Sequence, residues 1–544
     1  VQDVGFPSHR GAAAFYNAAM ILDLLTLVRV AGRRGGEGGQ LQFGAEVRTP
    51  AEFVTLVLAL AEALQEAGLR PGDRFAILLP RCAAEAAMLL AVAAAGGIAV
   101  PVHGKLRDDQ VAHILADCEP FGVATSPTRL LSLRDAGKLL SGQRVWWVGA
   151  DAPGSPGGRL GRLLAGQEPP QPGEGLVPPP AESAAALLYT SGSTGPQKGI
   201  LQSHHNLCQG AALVAGYLQL GPADHVLALL PFSFDYGLNQ LLSALLVGCR
   251  LTAAEPLGPG ELASLLLRVR PTGLAGVPSL WHEVARGMQS GLLEREHGRS
   301  LRYVTNSGGA LQLADSRWLR EVWPQVDIYA MYGLTEAFRS AYLPPAEFDA
   351  APDSFGRALP GVELLLVDPD SGAVLDGPAS GELVHAGALV ALGYWRRPEA
   401  AAVRFQPDPR GRPNTVVYSG DLVRRDAAGR HYFVGRRDRQ LKVSGHRVSP
   451  DEVAAAVRDL ADIGEVAVFG VQGGAEGHRI VMVVTGDTAD AGLVARVQRQ
   501  CRQRLPGYLQ PALVVVREVL PYNANGKLDE VALRADLRAS VEQL

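Results

Sequence analysis

The chain has 544 residues and a formal net charge of −4, with 51 Lys and Arg against 55 Asp and Glu. That length exceeds one ordinary domain and gives ample core, while balanced charge without a basic patch or charge run argues against nucleic acid or an anionic membrane as a partner. The five cysteines (Cys82, Cys118, Cys208, Cys249, Cys501) have no metal-ligand spacing, so they read as small buried hydrophobes in a reducing cytoplasm.

The longest uncharged apolar run, 86–102, contains Gly96, Gly97 and Pro101. It falls short of the ~20 residues a spanning helix needs, so no integral membrane segment is expected. Residues 1–19 show no clear period and no clean signal-peptide pattern, and Met20 is expected to lie near the functional start. An amphipathic helix is predicted over 21–29, a Gly-rich turn over 35–39 and a strand near 41–43. Thr49-Pro50-Ala51-Glu52 is a capping box with Pro at the first helical position. Phe53, Leu56, Val57, Leu60 and Leu64 form one face of the helix it starts, and Gly68 stops it.

Strands are predicted at 75–79, 98–102, 122–125 and 145–148, with helices at 83–95 and 108–118. This alternation argues for a largely parallel sheet covered on both faces. The Pro- and Gly-rich 151–183 stretch reads as a surface connection. A buried strand over 184–188 and a helix over 203–220 follow. Strands at 225–230, 250–253, 272–277, 302–307 and 326–330 alternate with further helices. From 362 the pattern turns to short strands at 362–367, 381–385, 416–418 and 431–434. Beyond 438 come short strands near 441–443 and 447–448, a helix from 450, strands at 465–471 and 480–484, a helix to 505 and a strand at 512–516. The expected class is α/β. A large N-terminal domain of layered α/β sheets would span 20–437, with a β-rich subdomain at about 355–437, and a small α+β C-terminal domain would span 438–544.

Tyr189-Thr190-Ser191-Gly192-Ser193-Thr194-Gly195-Pro196-Gln197-Lys198-Gly199 lies between the 184–188 strand and the 203–220 helix. Glycine lets backbone N–H groups converge on an anion. The hydroxyls of Thr190, Ser191, Ser193 and Thr194 add donors, and Lys198 adds a point charge. A strand, a hydroxyl-rich turn and a helix read as a phosphate-binding arrangement. It is not a Walker A loop, because Gly199 rather than Ser or Thr follows Lys198. The stretch resembles the phosphate loop of the AMP-forming adenylating superfamily, which includes acyl-CoA synthetases, adenylation domains of peptide synthetases and firefly luciferase. The usual Pro before the Lys is replaced by Gln197, with Pro196 one place earlier.

Later motifs resemble the same superfamily in the same order, over most of the chain from about residue 40. In Asn306-Ser307-Gly308-Gly309-Ala310, small residues would let a flat ring approach. The resemblance places this segment beside the adenine and the acyl pocket. In Tyr332-Gly333-Leu334-Thr335-Glu336 it implies an aromatic face on adenine, a Thr335 hydroxyl at the α-phosphate and a Glu336 carboxylate on Mg²⁺. In Tyr418-Ser419-Gly420-Asp421 the carboxylate of Asp421 would accept both ribose hydroxyls. In Gly435-Arg436-Arg437-Asp438, Arg436 would contact the nucleotide and Asp438 would be the pivot of a mobile C-terminal domain. The segment from Gln440 to Arg447, with Lys442 and Gly445, resembles the one that faces the site during thioester formation. In Pro521-Tyr522-Asn523-Ala524-Asn525-Gly526-Lys527, Lys527 matches the catalytic lysine that contacts the substrate carboxylate and the α-phosphate, although Glu530 stands where a basic residue is usual.

The resemblance implies ATP, Mg²⁺, and either CoA or a carrier-protein phosphopantetheine. A carboxylic acid becomes an acyl-adenylate with loss of pyrophosphate, and a thiol then takes the acyl group. The alternative is an amino-acid adenylation enzyme that loads a carrier protein. A non-catalytic nucleotide-binding relative is disfavoured, because every position expected to touch ATP is filled. Segments beginning at His103, His113, Leu230 and Thr272 look most like the acyl-CoA ligases associated with exosortase systems, whose implied partner is an acyl carrier protein. Phe234, Asp235 and Ser307 would border the substrate pocket. Asp235 has two readings: it pairs with an α-ammonium of the substrate, or it caps the helix over 236–247.

Overall fold

The computed structural model describes residues 21–34, 39–138, 142, 144–148, 158–171, 175–190, 197–437, 441–443, 446–472, 478–523 and 526–541. Met20, Ser191, Gly192, Ser193, Thr194, Gly195, Asp438 and Gly445 fall outside these residues, as do the side chains of Lys442 and Arg447.

Short apolar strands pair in parallel wherever a helix returns the chain. Arg74–Leu78 lies between Ile98–Pro101 and Gly122–Thr125, and Val145–Trp147 extends that edge. Helices Pro50–Glu66 and Ala83–Ala94 bury Leu60, Leu64, Met88 and Leu90 in a common core. The capping box forms as predicted: Thr49 Oγ1 accepts from the Glu52 N–H, and Glu52 accepts from the Thr49 N–H. A second sheet runs in parallel through Arg250–Ala253, His225–Ala228, Gly273–Gly276, Tyr303–Asn306 and Asp327–Leu334. Ala337–Leu343 then turns back antiparallel. Ser354–Ala358 pairs with Ala337–Leu343 on one side and His431–Arg436 on the other, so the β-rich stretch continues the second sheet.

Val466–Gln472, His478–Thr485 and Leu513–Arg517 form a separate three-stranded sheet. Helix Leu493–Arg504 packs Val497 and Cys501 with Val453 and Met482. Among the described residues no helix is long and apolar enough to cross a membrane.

Two expectations change. Residues Lys198–Ser203 form a strand rather than a lead into the helix, and they fold back on Ala184–Thr190 with Lys198 opposite Thr190. Ile200 is buried, and pairing with the neighbouring strand satisfies backbone groups that a free lead would leave open. The hydroxyl-rich stretch therefore connects two antiparallel strands. Helix His204–Tyr217 starts only after the second, capped by Ser203. Within the expected surface connection, Arg159–Leu164 is a short helix that buries Leu160, Leu163 and Leu164.

Candidate functional site

Asp235 opens helix Asp235–Val247 and is 5 % exposed. Gly237 is needed there, because a Cβ would run into the carbonyl oxygen of Pro231. The helix therefore packs tightly on the preceding chain and aims its first turn inward. The N-cap is Phe234, with no side-chain cap bond, so the Asp235 side chain is not the cap of the second reading. Asp235 Oδ2 accepts from the Thr335 hydroxyl at 3.3 Å. Burial pushes its carboxyl above the usual carboxylate range, and the charges of Arg339 and Lys527 partly offset that. Asp235 shares a small cavity with Thr190, Ser233, Phe234, Thr335 and Lys527.

Lys527 reaches that cavity from a turn near the end of the chain. Gly526 adopts φ +70, which favours glycine. The Lys527 N–H donates to Asn523 Oδ1 at 3.1 Å, and the Ser279 hydroxyl donates to the Gly526 carbonyl at 2.9 Å. Lys527 Nζ stands 5.8 Å from the centroid of the Phe234 ring. Its Cε lies 3.8 Å from where a Cβ on Gly308 would sit. Asn306 Nδ2 donates to the Gly309 carbonyl at 2.8 Å, which fixes the glycine turn leading to Ala310. Ser307 is buried behind it.

Two further groups lie on the strand that leads to Thr335 and on the residue after it. Glu336 Oε1 accepts from the Tyr394 hydroxyl at 2.6 Å, and Lys198 Nζ stands 5.6 Å from the centroid of the Tyr394 ring. Tyr332, next to Gly333, stacks on Phe355 with centroids 4.4 Å apart and gives its hydroxyl hydrogen to Asp421. Arg436 Nη1 donates to the other Asp421 oxygen at 2.9 Å. Asp421 and Arg436 are direct partners on adjacent antiparallel strands. The backbone of Lys442 lies in strand Leu441–Val443.

Sequence reasoning missed Tyr394 and Arg339. Tyr394 belongs to the two-residue strand Gly393–Tyr394, beside Lys198–Ser203, too short to carry a period. Arg339 is a charged residue inside strand Ala337–Leu343, and only its burial marks it.

Glu465 lies close to Tyr522, whose hydroxyl donates to it, and to His282, Asp315, Glu283 and Arg286 of the large unit. Burial lifts its carboxyl to about 7, His282 and Arg286 oppose the shift, and Asp315 and Glu283 add to it. With the two units apart, Glu465 would titrate near the ordinary value of about 4.3. The docked arrangement thus holds the extra proton, and docking weakens as pH rises from about 4.3 to about 7. The melting temperature of wild type relative to Glu465→Gln is expected to decline across that interval. A difference independent of pH would contradict it.

The model of the family described as AMP-binding enzyme matches residues 36–395, and that of the AMP-binding enzyme C-terminal domain matches 452–527. The chain is 32% identical to an L-proline–L-prolyl-carrier protein ligase of Streptomyces coelicolor, over 91% of this chain and 93% of that protein. It is 29% identical to a dimodular nonribosomal peptide synthase of Bacillus subtilis, over 89% of this chain but 20% of that protein. ATP-bound MatB from Rhodopseudomonas palustris superposes with a TM-score of 0.82 at 25% identity, over 95% of this chain and 99% of that one.

Proposed function

Because the chain belongs to the AMP-binding enzyme family, we infer that the acid it activates is an amino acid and that the accepting thiol is the phosphopantetheine of a carrier protein. The protein is an adenylate-forming ligase that uses ATP and passes the activated acyl group to a thiol. A carboxylate oxygen attacks the α-phosphorus, the bond to the β-phosphate breaks, and pyrophosphate leaves. The thiolate then attacks the acyl carbonyl, and AMP leaves.

Lys527 and Lys198 would balance the charge that builds on the phosphates, together with the loop Thr190, Ser191, Gly192, Ser193, Thr194 and Gly195. Thr335 would orient the reacting groups at the α-phosphate. Asp421 and Arg436 would hold the ribose side of the nucleotide, with Tyr332, Gly333, Gly308, Gly309 and Ala310 beside the base. Glu336 keeps one oxygen on Tyr394, which leaves the other for Mg²⁺, an ion that takes its remaining ligands from phosphates and water. The ion would neutralise phosphate charge. Phe234, Asp235 and Ser307 would line the acyl pocket. Asp438 would be the pivot between domains 20–437 and 438–544, and rotation there would bring Lys442 to the site for thiol transfer. The likeness to exosortase-associated ligases supports a carrier partner, and five unpaired thiols suit a reducing cytoplasm.

One observation carries the amino-acid reading. Asp235 is a buried carboxylate at the reacting end of the pocket, and no ion pair joins it to any described cation. Hydrogen bonds from Thr335 and the Tyr236 backbone reach it, but a buried charge without a counter-ion is costly, and a substrate ammonium would relieve that cost. The test is ATP–pyrophosphate exchange over a panel of amino acids and the matching acids that lack the amino group. Wild type is expected to prefer the amino acids. Asp235→Asn keeps the oxygen and loses the charge, so kcat/KM for amino acids is expected to fall about 30-fold, near 2 kcal/mol. The non-amino acids should be unaffected. An identical substrate profile in both proteins would exclude the ammonium contact.

A further inference from the structure

Arg339 is a buried guanidinium with no acid paired to it among the described residues. It is 3 % exposed, on strand Ala337–Leu343. Its Cζ lies 4.4 Å from the centroid of the Tyr236 ring, and Nη1 reaches Ser307 Oγ at 3.5 Å. Nε and Nη2 have no hydrogen-bond partner among the described residues. Asp235 is near enough to feel the charge, yet the two form no ion pair. A guanidinium does not shed its proton in a protein, so the charge persists. Burying it without a counter-ion is unfavourable.

The surroundings also hold unused polar atoms. Tyr236 lines a cavity with Asn239, Gln240, Ser243, Thr305 and Met331. Asn239 Nδ2 and Gln240 Oε1 have no hydrogen-bond partner among the described residues. Asn239 lies one helical turn beyond Asp235, so the two share a face of the helix. A core filled only by an apolar side chain would leave Arg339 and Asn239 unpaired.

We propose that the substrate carries a second carboxylate, that Arg339 binds it through its unpaired nitrogens, and that the substrate is therefore an acidic α-amino acid. This rests on the amino-acid reading above. Charge complementarity supports it: Asp235 lines one cavity, Arg339 stacks on Tyr236 at the edge of the next, and the substrate would return an ammonium to the first and a side-chain carboxylate to the second. The planar fork of arginine suits a carboxylate in two parallel bonds. A neutral side chain would leave the guanidinium desolvated and unpaired, which makes Arg339 a determinant of specificity.

The test is exchange kinetics with L-aspartate, L-glutamate, L-asparagine, L-glutamine, L-proline, succinate and glutarate. In wild type, L-aspartate or L-glutamate is expected to exceed its own amide by about 10²-fold in kcat/KM. Arg339→Gln should erase that preference, mainly through KM, and should leave or improve activity with the amide. Arg339→Lys should keep part of the preference, and melting temperatures report whether each variant folds. Preference of wild type for an amide or for L-proline would overturn the proposal. So would an equal loss with every substrate in Arg339→Gln, because a merely structural role predicts that pattern. The two readings fail separately. Exchange with L-proline that depends on Asp235 would keep the amino-acid reading and refute the second carboxylate. Exchange with succinate or glutarate that depends on Arg339 would keep the second carboxylate and refute the ammonium.

Discussion

Lys527→Ala is expected to slow acyl-adenylate formation by about 10²–10³, the usual effect of losing one donor aimed at developing charge. The motive is geometric. The turn that carries Lys527 is clamped to the large unit by the Ser279 hydroxyl on the Gly526 carbonyl, 2.9 Å away. It places the ammonium beside Phe234, in the cavity that also holds Asp235 and Thr335. In the proposed reaction a residue poised there would act while the carboxylate meets the α-phosphate. Transfer of the acyl group from supplied acyl-adenylate to thiol should change only a few-fold if the proposed rotation of the small domain carries Lys527 away before that step. Rapid-quench measurement of the two half-reactions separates the cases. Equal slowing of both would remove Lys527 from the first step.

Local signals made the parallel part of the fold legible. The parallel strands Gly122–Thr125 and Arg250–Ala253 occur where the apolar periods placed them. Such strands are buried on both faces and read as continuous apolar runs. The antiparallel returns were harder. Lys198–Ser203 begins with the loop lysine, and Ala337–Leu343 contains Arg339 and Ser340, so neither shows a clean alternation. Their strand character comes from pairing with a neighbour already in place, a tertiary cause that a local window does not contain.

The site divides the same way. Asp421 and Arg436 each stand in a recognisable motif, and the register of their strands then makes them partners. Phe234 and Tyr236 flank Asp235 and signalled an apolar setting, which its burial bears out. Tyr394 meets Glu336 across 58 residues of chain. Arg339 stands in no motif, and only its burial in the closed sheet marks it. Residues that act through sequence neighbours were visible, and residues that act through sheet closure were not.

Asp421→Ala is expected to raise the KM for ATP by about 10²–10³, with kcat at saturating ATP within a few-fold of wild type. Asp421 is 7% exposed, and its two oxygens accept from Tyr332 and from Arg436 Nη1. A carboxylate accepts several hydrogen bonds at once, and in the proposed complex this one would accept from the vicinal hydroxyls of a ribose. Hydrogen bonds to a charged group are worth about 1.5–3 kcal/mol each. Losing two gives the stated range even after partial compensation by water. The substitution also leaves the Arg436 guanidinium without this carboxylate, so a drop in melting temperature is expected alongside the kinetic effect. Two nucleotide analogues separate these contributions. Wild type should bind 2′-deoxy-ATP and 3′-deoxy-ATP more weakly than ATP, and Asp421→Ala should treat all three alike, because the acceptor that tells them apart is gone. A structural disturbance alone would weaken all three by the same factor and preserve their ranking. Discrimination against either analogue that survives undiminished in Asp421→Ala would remove Asp421 from the ribose.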